Sequence, residues 1–285
     1  MTDILDSTSI LDSVGALAGL ITFADFSYWQ MIGFVCIGLV SGVAAGFFGI
    51  GGGVIIVPFM LLLGFPIQHA IGISIVQMVF ASAFGSLLNY KKGLLDLRDG
   101  IFIGIGGLIG ASFSGILLSV LSDVLISLAF LLLTIISFYR FAFKVKPQIS
   151  ATPPIQDERK KRAVLVIAGA LTGVFAISLG IGGGLLIAPI LGYYLGYDSK
   201  KVVPLSLFFV IFSSVSGTLS LYHTQVISPH LVGAGFMIGL ASIIGVAFGI
   251  YLIMKASAKV HRNALLWIYA FAIVVTSIKI IQRLW

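Results

Sequence analysis

Apolar residues run along this chain in long blocks without alternation, each closed by a short cluster of Gly, Pro or charge. Eight such segments form two groups of four, roughly 30–63, 67–89, 100–120 and 122–143, then 163–196, 202–222, 230–254 and 263–282. Blocks near 20 residues have the length of a helix crossing a bilayer, and they lack the period of barrel strands. The first segment of each group differs. At roughly 33 residues it is too long for one upright span and too short for two. Its middle holds FGIGGGVIIVPF at 48–59 and LGIGGGLLIAPI at 179–190. A glycine in a helix costs about 1 kcal/mol relative to alanine, so four glycines in five positions break the helix.

The break is duplicated because the chain is. GLVSGVAAGFFGIGGGVIIVPF aligns without gaps on GALTGVFAISLGIGGGLLIAPI at an offset of 131. One residue of slip later, Ser74, Ser82, Gly85 and Tyr90 match Ser206, Ser214, Gly217 and Tyr222. Two such copies in a membrane chain point to a transporter built by duplication. Residues 30–143 form the first repeat and 163–285 the second. Between them, KVKPQISATPPIQDERKKR at 144–162 reads as a cytoplasmic linker. Residues 1–29 are an N-terminal segment whose apolar stretch near 10–23 is short for a span and reads as an interfacial helix.

Composition and charge then fix the solvent and the orientation. The chain is 59% hydrophobic and only 9% charged, with a mean hydropathy of +1.15, against about 25% charged in a soluble domain. The net charge of +7 sits in loops and implies no nucleic-acid partner. If each Gly-broken segment enters and leaves on one side, all but Lys279 and Arg283 of the seventeen basic residues lie in the cytoplasm. A single crossing per broken segment gives a weaker bias, so the hairpin is the better reading. Each repeat is then a Gly-broken helical hairpin of two shorter helices plus three transmembrane helices. The odd number of crossings inverts the second repeat relative to the first. The expected fold is an all-α polytopic membrane protein with an inverted-topology repeat.

Hairpin tips inside a membrane must be satisfied by protein or by a water-filled cavity. The helices restarting after Gly53 and Gly184 aim their N-termini, with free N–H groups and partial positive charge, at the breaks. Two such tips meeting near the midplane make an anion site without a charged side chain. Its candidate residues are Gly49, Ile50, Gly51, Gly52 and Gly53 with Gly180, Ile181, Gly182, Gly183 and Gly184. A polar stripe on the next helix of each half adds Ser74, Gln77 and Ser82, and Ser206, Ser213 and Ser214. The same small residues also let helices pack closely. Gly38, Gly42 and Gly46, and Gly245 with Gly249, read better as packing series.

Other chemistries find no support. Cys36 is the lone cysteine, so no intramolecular disulfide or multi-cysteine metal site exists, and it reads as a small buried residue. GIGGGV lacks the GK[ST] of a phosphate loop, and GIGGLIG at 104–110 lies in a span without βαβ context. No cofactor motif and no catalytic constellation appears, so the chain does not read as an enzyme.

On the paired G-x-x-x-G-x(6)-G-I-G-G-G-x(4)-P pattern, the serine-bearing helix after it and the charged linker, the chain resembles the sulfite exporter TauE/SafE family of bacterial membrane proteins. The resemblance covers nearly everything from about Gly33. It implies a multi-pass protein of the bacterial cytoplasmic membrane that exports a small sulfur-containing anion, sulfite or an organosulfonate, by alternating access. An anion channel with the same site, and an uptake carrier for another small anion, stay open, as does the choice of Na⁺ or H⁺ as coupling ion. The family's motif positions carried over are Gly49 to Gly53 with Pro58, and Gly180 to Gly184 with Pro189.

Overall fold

A computed structural model of the chain describes residues 26–143, 157–197, 199–255 and 257–284. The N-terminal stretch near 10–23 and most of the linker lie outside the described residues. The described chain is helical: α1 (Tyr28–Phe48), α2 (Gly53–Leu62), α3 (Ile67–Lys91), α4 (Leu97–Ala111), α5 (Ser114–Val120), α6 (Asp123–Ala142), α7 (Glu158–Ser178), α8 (Gly184–Pro189), α9 (Ser199–His223), α10 (Pro229–Lys255) and α11 (Ala258–Leu284). A π turn, Ile190–Tyr194, follows α8. Pro189 brings no N–H to the helix ladder, and the backbone widens directly after it. Eight helices among the described residues, counting α4 and α5 as one, are long and apolar enough to cross a membrane.

Polar caps mark where the chain leaves apolar surroundings. Ser27 and Gln30 close a capping box at α1. Asp157 caps α7, its carboxylate accepting from the Arg159 N–H at 2.9 Å. That cap starts α7 at Glu158, inside the charge cluster that the sequence reads as linker. The limbs on either side of each break also differ from the expected pair of short helices. α1 and α7 have 21 residues each and are span-length by themselves, whereas α2 has 10 and α8 has 6.

Glycine seams set the packing. Gly38, Gly42 and Gly46 of α1 face Ile238, Ser242 and Val246 of α10, and Gly245 and Gly249 face Leu39 and Val43 in return. The numbers rise together, so α1 and α10 run parallel, backbone against backbone. α4 and α7 repeat the arrangement, with Gly106 and Gly110 against Val166 and Ala170, and Gly169 and Gly173 against Ile103 and Gly107. α3 is also parallel to α10: Gly235 faces Ile73 and Val76, and Gly239 faces Phe80. α9 is parallel to α4 and α5, with Ser216 Oγ donating to Leu108 O at 2.7 Å and Ser220 Oγ to Ser112 O at 2.6 Å. α3 and α9 cross in opposite directions, Gly72 beside Leu221, Gly217 beside Ile75 and Gly85 beside Leu207.

Large apolar side chains point outward over most of the surface, among them Val40, Leu132, Phe175, Ile244 and Trp267, as a lipid solvent permits. Cys36 is on that surface. The expectation that it is buried is corrected: on α1 the seam to α10 is filled by glycines, and Cys36 falls on the opposite, exposed face.

Candidate functional site

The two breaks lie side by side at the centre of the packing. Gly53 sits against the Gly180 carbonyl, Gly51 against Gly182, and Gly184 against the Gly49 carbonyl. Residues 49–53 and 180–184 thus pass each other in opposite directions. Gly49, Gly51, Gly52, Gly180 and Gly182 have φ between 63° and 87°, the left-handed region that a side chain resists. Gly183, the counterpart of Gly52, is right-handed at φ −61°, so the two turns are not identical. Ile50 and Ile181 are buried.

The serines that follow each break cross over to the other one. Ser74 Oγ donates to Gly180 O at 3.2 Å, sharing its proton with Ile71 O at 2.8 Å. Ser206, its counterpart, donates to Gly49 O at 3.0 Å. Carbonyls freed where α1 and α7 end are therefore satisfied by serines from the other half of the chain. Gln77 is fully buried beside Gly52 and Ser41, and neither atom of its amide has a hydrogen-bond partner. Ser82, Ser213 and Ser214 are turned onto their own helices, bonding Val79 O at 3.4 Å, Phe209 O at 3.2 Å and Ile211 O at 3.3 Å.

Donors collect at the start of α2. Gly52 caps it in the left-handed conformation without a side-chain hydrogen bond. Ile55 and Ile56 N–H both reach Gly52 O, while among the described residues no backbone acceptor meets the N–H of Gly53 or Val54. No ionisable side chain is among the residues just named. Met78 and Phe209 were invisible as neighbours in the sequence. Met78 lies against Gly51 and Gly53, and Phe209 against Gly183 and Gly107. Their only sequence signal is adjacency to the polar stripes.

A separate polar cluster joins α4, α7 and the loop before α9. Asp99, nearly buried, takes the Lys161 ammonium at 2.7 Å and the Tyr197 hydroxyl. Lys161 also stands 5.3 Å from the Tyr197 ring centroid, and Arg98 pairs with Glu158 at 3.7 Å. Burial, then the bond to Asp99, pushes the Tyr197 phenol well above its ordinary range. At the opposite end Arg283 pairs with Asp123 at 2.6 Å, and Gln68 Nε2 donates to Leu118 O at 3.1 Å.

Eight membrane-length helices among the described residues and a lipid-facing apolar surface define a polytopic membrane protein, and the relatives below place it in the transporter class. The chain belongs to the sulfite exporter TauE/SafE family, whose family model matches residues 34–279. It is similar to the probable membrane transporter protein YunE of Bacillus subtilis, 27% identical over 87% of this chain and 96% of that protein. It is also similar to the probable membrane transporter protein MJ0441 of Methanocaldococcus jannaschii, 26% identical over 81% of this chain and 88% of the relative. A probable membrane transporter protein of Xylella fastidiosa is 29% identical over 86% and 92%. No solved structure matches the chain.

Proposed function

We propose that the protein is a secondary carrier of a small sulfur-containing anion, sulfite or an organosulfonate, in a bacterial cytoplasmic membrane. The observation that carries this reading is the crossed pair of hydrogen bonds, Ser74 to Gly180 and Ser206 to Gly49, which ties two equivalent breaks into one unit. Each repeat is read as a hairpin followed by three crossings. α1 and α3 are both parallel to α10, so α2 must carry the chain back between them. The repeats are read as inverted because equivalent helices α3 and α9 run in opposite directions. The Asp99–Tyr197 bond supports the same topology, since it holds the loop at 91–97 and residues 195–197 at one end of the molecule. Most basic residues fall at that end, which is the cytoplasmic one.

The substrate site is the region of Gly49–Gly53 and Gly180–Gly184, with Gln77 beside it. Uncapped N–H groups and the positive end of α2 favour an anion there without a fixed cation. Because the breaks touch, they are read as parting to admit substrate, and the proposed cycle exposes the site to the two sides in turn. The family's name favours sulfite export. The test is flux of labelled sulfite and organosulfonates in proteoliposomes. Saturable flux with counterflow is expected. Flux that rises linearly with concentration would make the protein a channel, and absence of flux for every sulfur anion would remove the reading.

A further inference from the structure

Gln77 carries the largest unmet hydrogen-bonding capacity at the breaks. Its side chain is 0% exposed, and both Oε1 and Nε2 lack a partner. Leaving such groups unpaired lowers the stability of the folded chain. The amide is aimed: Oε1 would stand 3.3 Å from a Cβ placed on Gly52, the residue that caps α2. Exchanging the two amide atoms changes nothing, since both are free. The start of the 10-residue α2 adds the N–H groups of Gly53 and Val54, which meet no backbone acceptor among the described residues.

We infer that Gln77 selects an oxyanion that keeps one acidic proton, the hydrogen sulfite form, over sulfite dianion and over sulfonates. This rests on the carrier reading above. The place offers several donors and, in Gln77 Oε1, an unpaired side-chain acceptor. An oxyanion without a proton satisfies Nε2 and the backbone N–H groups, but it leaves Oε1 facing negative oxygen. A monoanion with one acidic hydrogen satisfies both ends of the amide. A cation on Oε1 is disfavoured, because the positive end of α2 adjoins it. Substrate proton and negative charge then move together, and the carrier needs no carboxylate of its own at the breaks.

The test is thermal unfolding of the purified full-length protein, titrated with sulfite, methanesulfonate and sodium chloride over a pH series that crosses the ionisation of hydrogen sulfite. Affinity for total sulfite is expected to fall about tenfold per pH unit above that ionisation. Methanesulfonate, which lacks the acidic proton, is expected to bind about 100-fold more weakly or worse. Gln77→Met replaces the unpaired amide with an apolar side chain of similar shape. It should raise the unfolding temperature without anion and reduce hydrogen sulfite binding to the methanesulfonate level. Native affinity in Gln77→Met, a pH-independent affinity, or a Gln77-dependent shift from sodium chloride alone each overturns the inference and leaves the carrier reading standing. A native protein that responds to no sulfur anion overturns both. The pH series uses the native protein, so it decides the matter without relying on the folding of a variant.

Discussion

Gly42 and Gly51, nine positions apart, have opposite duties, and the difference is geometric. Gly51 has φ 77°, and a Cβ there would press on the flexible Met78 side chain, 3.3 Å from its Cγ, and reach ordinary contact with Gly182 Cα at 3.5 Å. Gly42 has ordinary helical backbone, yet a Cβ there would overlap the backbone of Ser242 on α10. Gly51→Ala is therefore expected to fold, with a loss of about 1–2 kcal/mol from left-handed strain. Its transport should fall more than its stability, because the added methyl lies over the break. Gly42→Ala must push α1 from α10 and is expected to cost about 3 kcal/mol or more, the upper end of overpacking. Unfolding in detergent alongside flux checks both, and equal injury to stability and transport in the two variants would merge their roles. Gly53, Gly182 and Gly184 each face a carbonyl of the other break, so substitutions there injure folding as well as function.

At the level of elements, the cluster around Asp99 fastens the end of the second broken segment to α4 and α7. The Tyr197 phenol is held neutral, its ionisation pushed above the ordinary value of 10 by burial and by Asp99. A raised folded value means that the unfolded chain loses the proton first. The stabilisation is then complete below pH 10 and is lost as the pH climbs beyond it. The stability gap between the native protein and Tyr197→Phe should stay constant from neutral pH to about 10 and narrow above it. Thermal unfolding across an alkaline pH series measures that gap, and narrowing already at neutral pH would contradict the assignment.

Over the whole molecule, the two ends of the packing are set by polar contacts far apart in sequence. Asp99 meets Lys161 and Tyr197 at one, and Asp123 meets Arg283 at the other. In a Cys36→Ser background, single cysteines at Lys92 and Lys201 are expected to label from the same, cytoplasmic face. A cysteine at Gly64, in the turn between α2 and α3, should label from the opposite face. Labelling of Lys92→Cys and Lys201→Cys from different sides would exclude the hairpin topology.

The helical, membrane-embedded class was legible in the chain because long apolar blocks admit few other solutions in lipid. The positions of the breaks were legible too, since clustered glycines weaken a helix wherever they stand, as at 49–53 and 180–184. Duplication made Ser74 and Ser206 recognisable as equivalents. It could not say that each would reach across to a carbonyl in the other half of the chain, because that partner lies 106 or 157 residues away and is fixed by how the helices cross. The unequal limbs, the exposure of Cys36 and the unpaired amide of Gln77 were hidden for the same reason. Periodicity assigns a residue to a helix face, but only the packing of every other helix decides what that face meets.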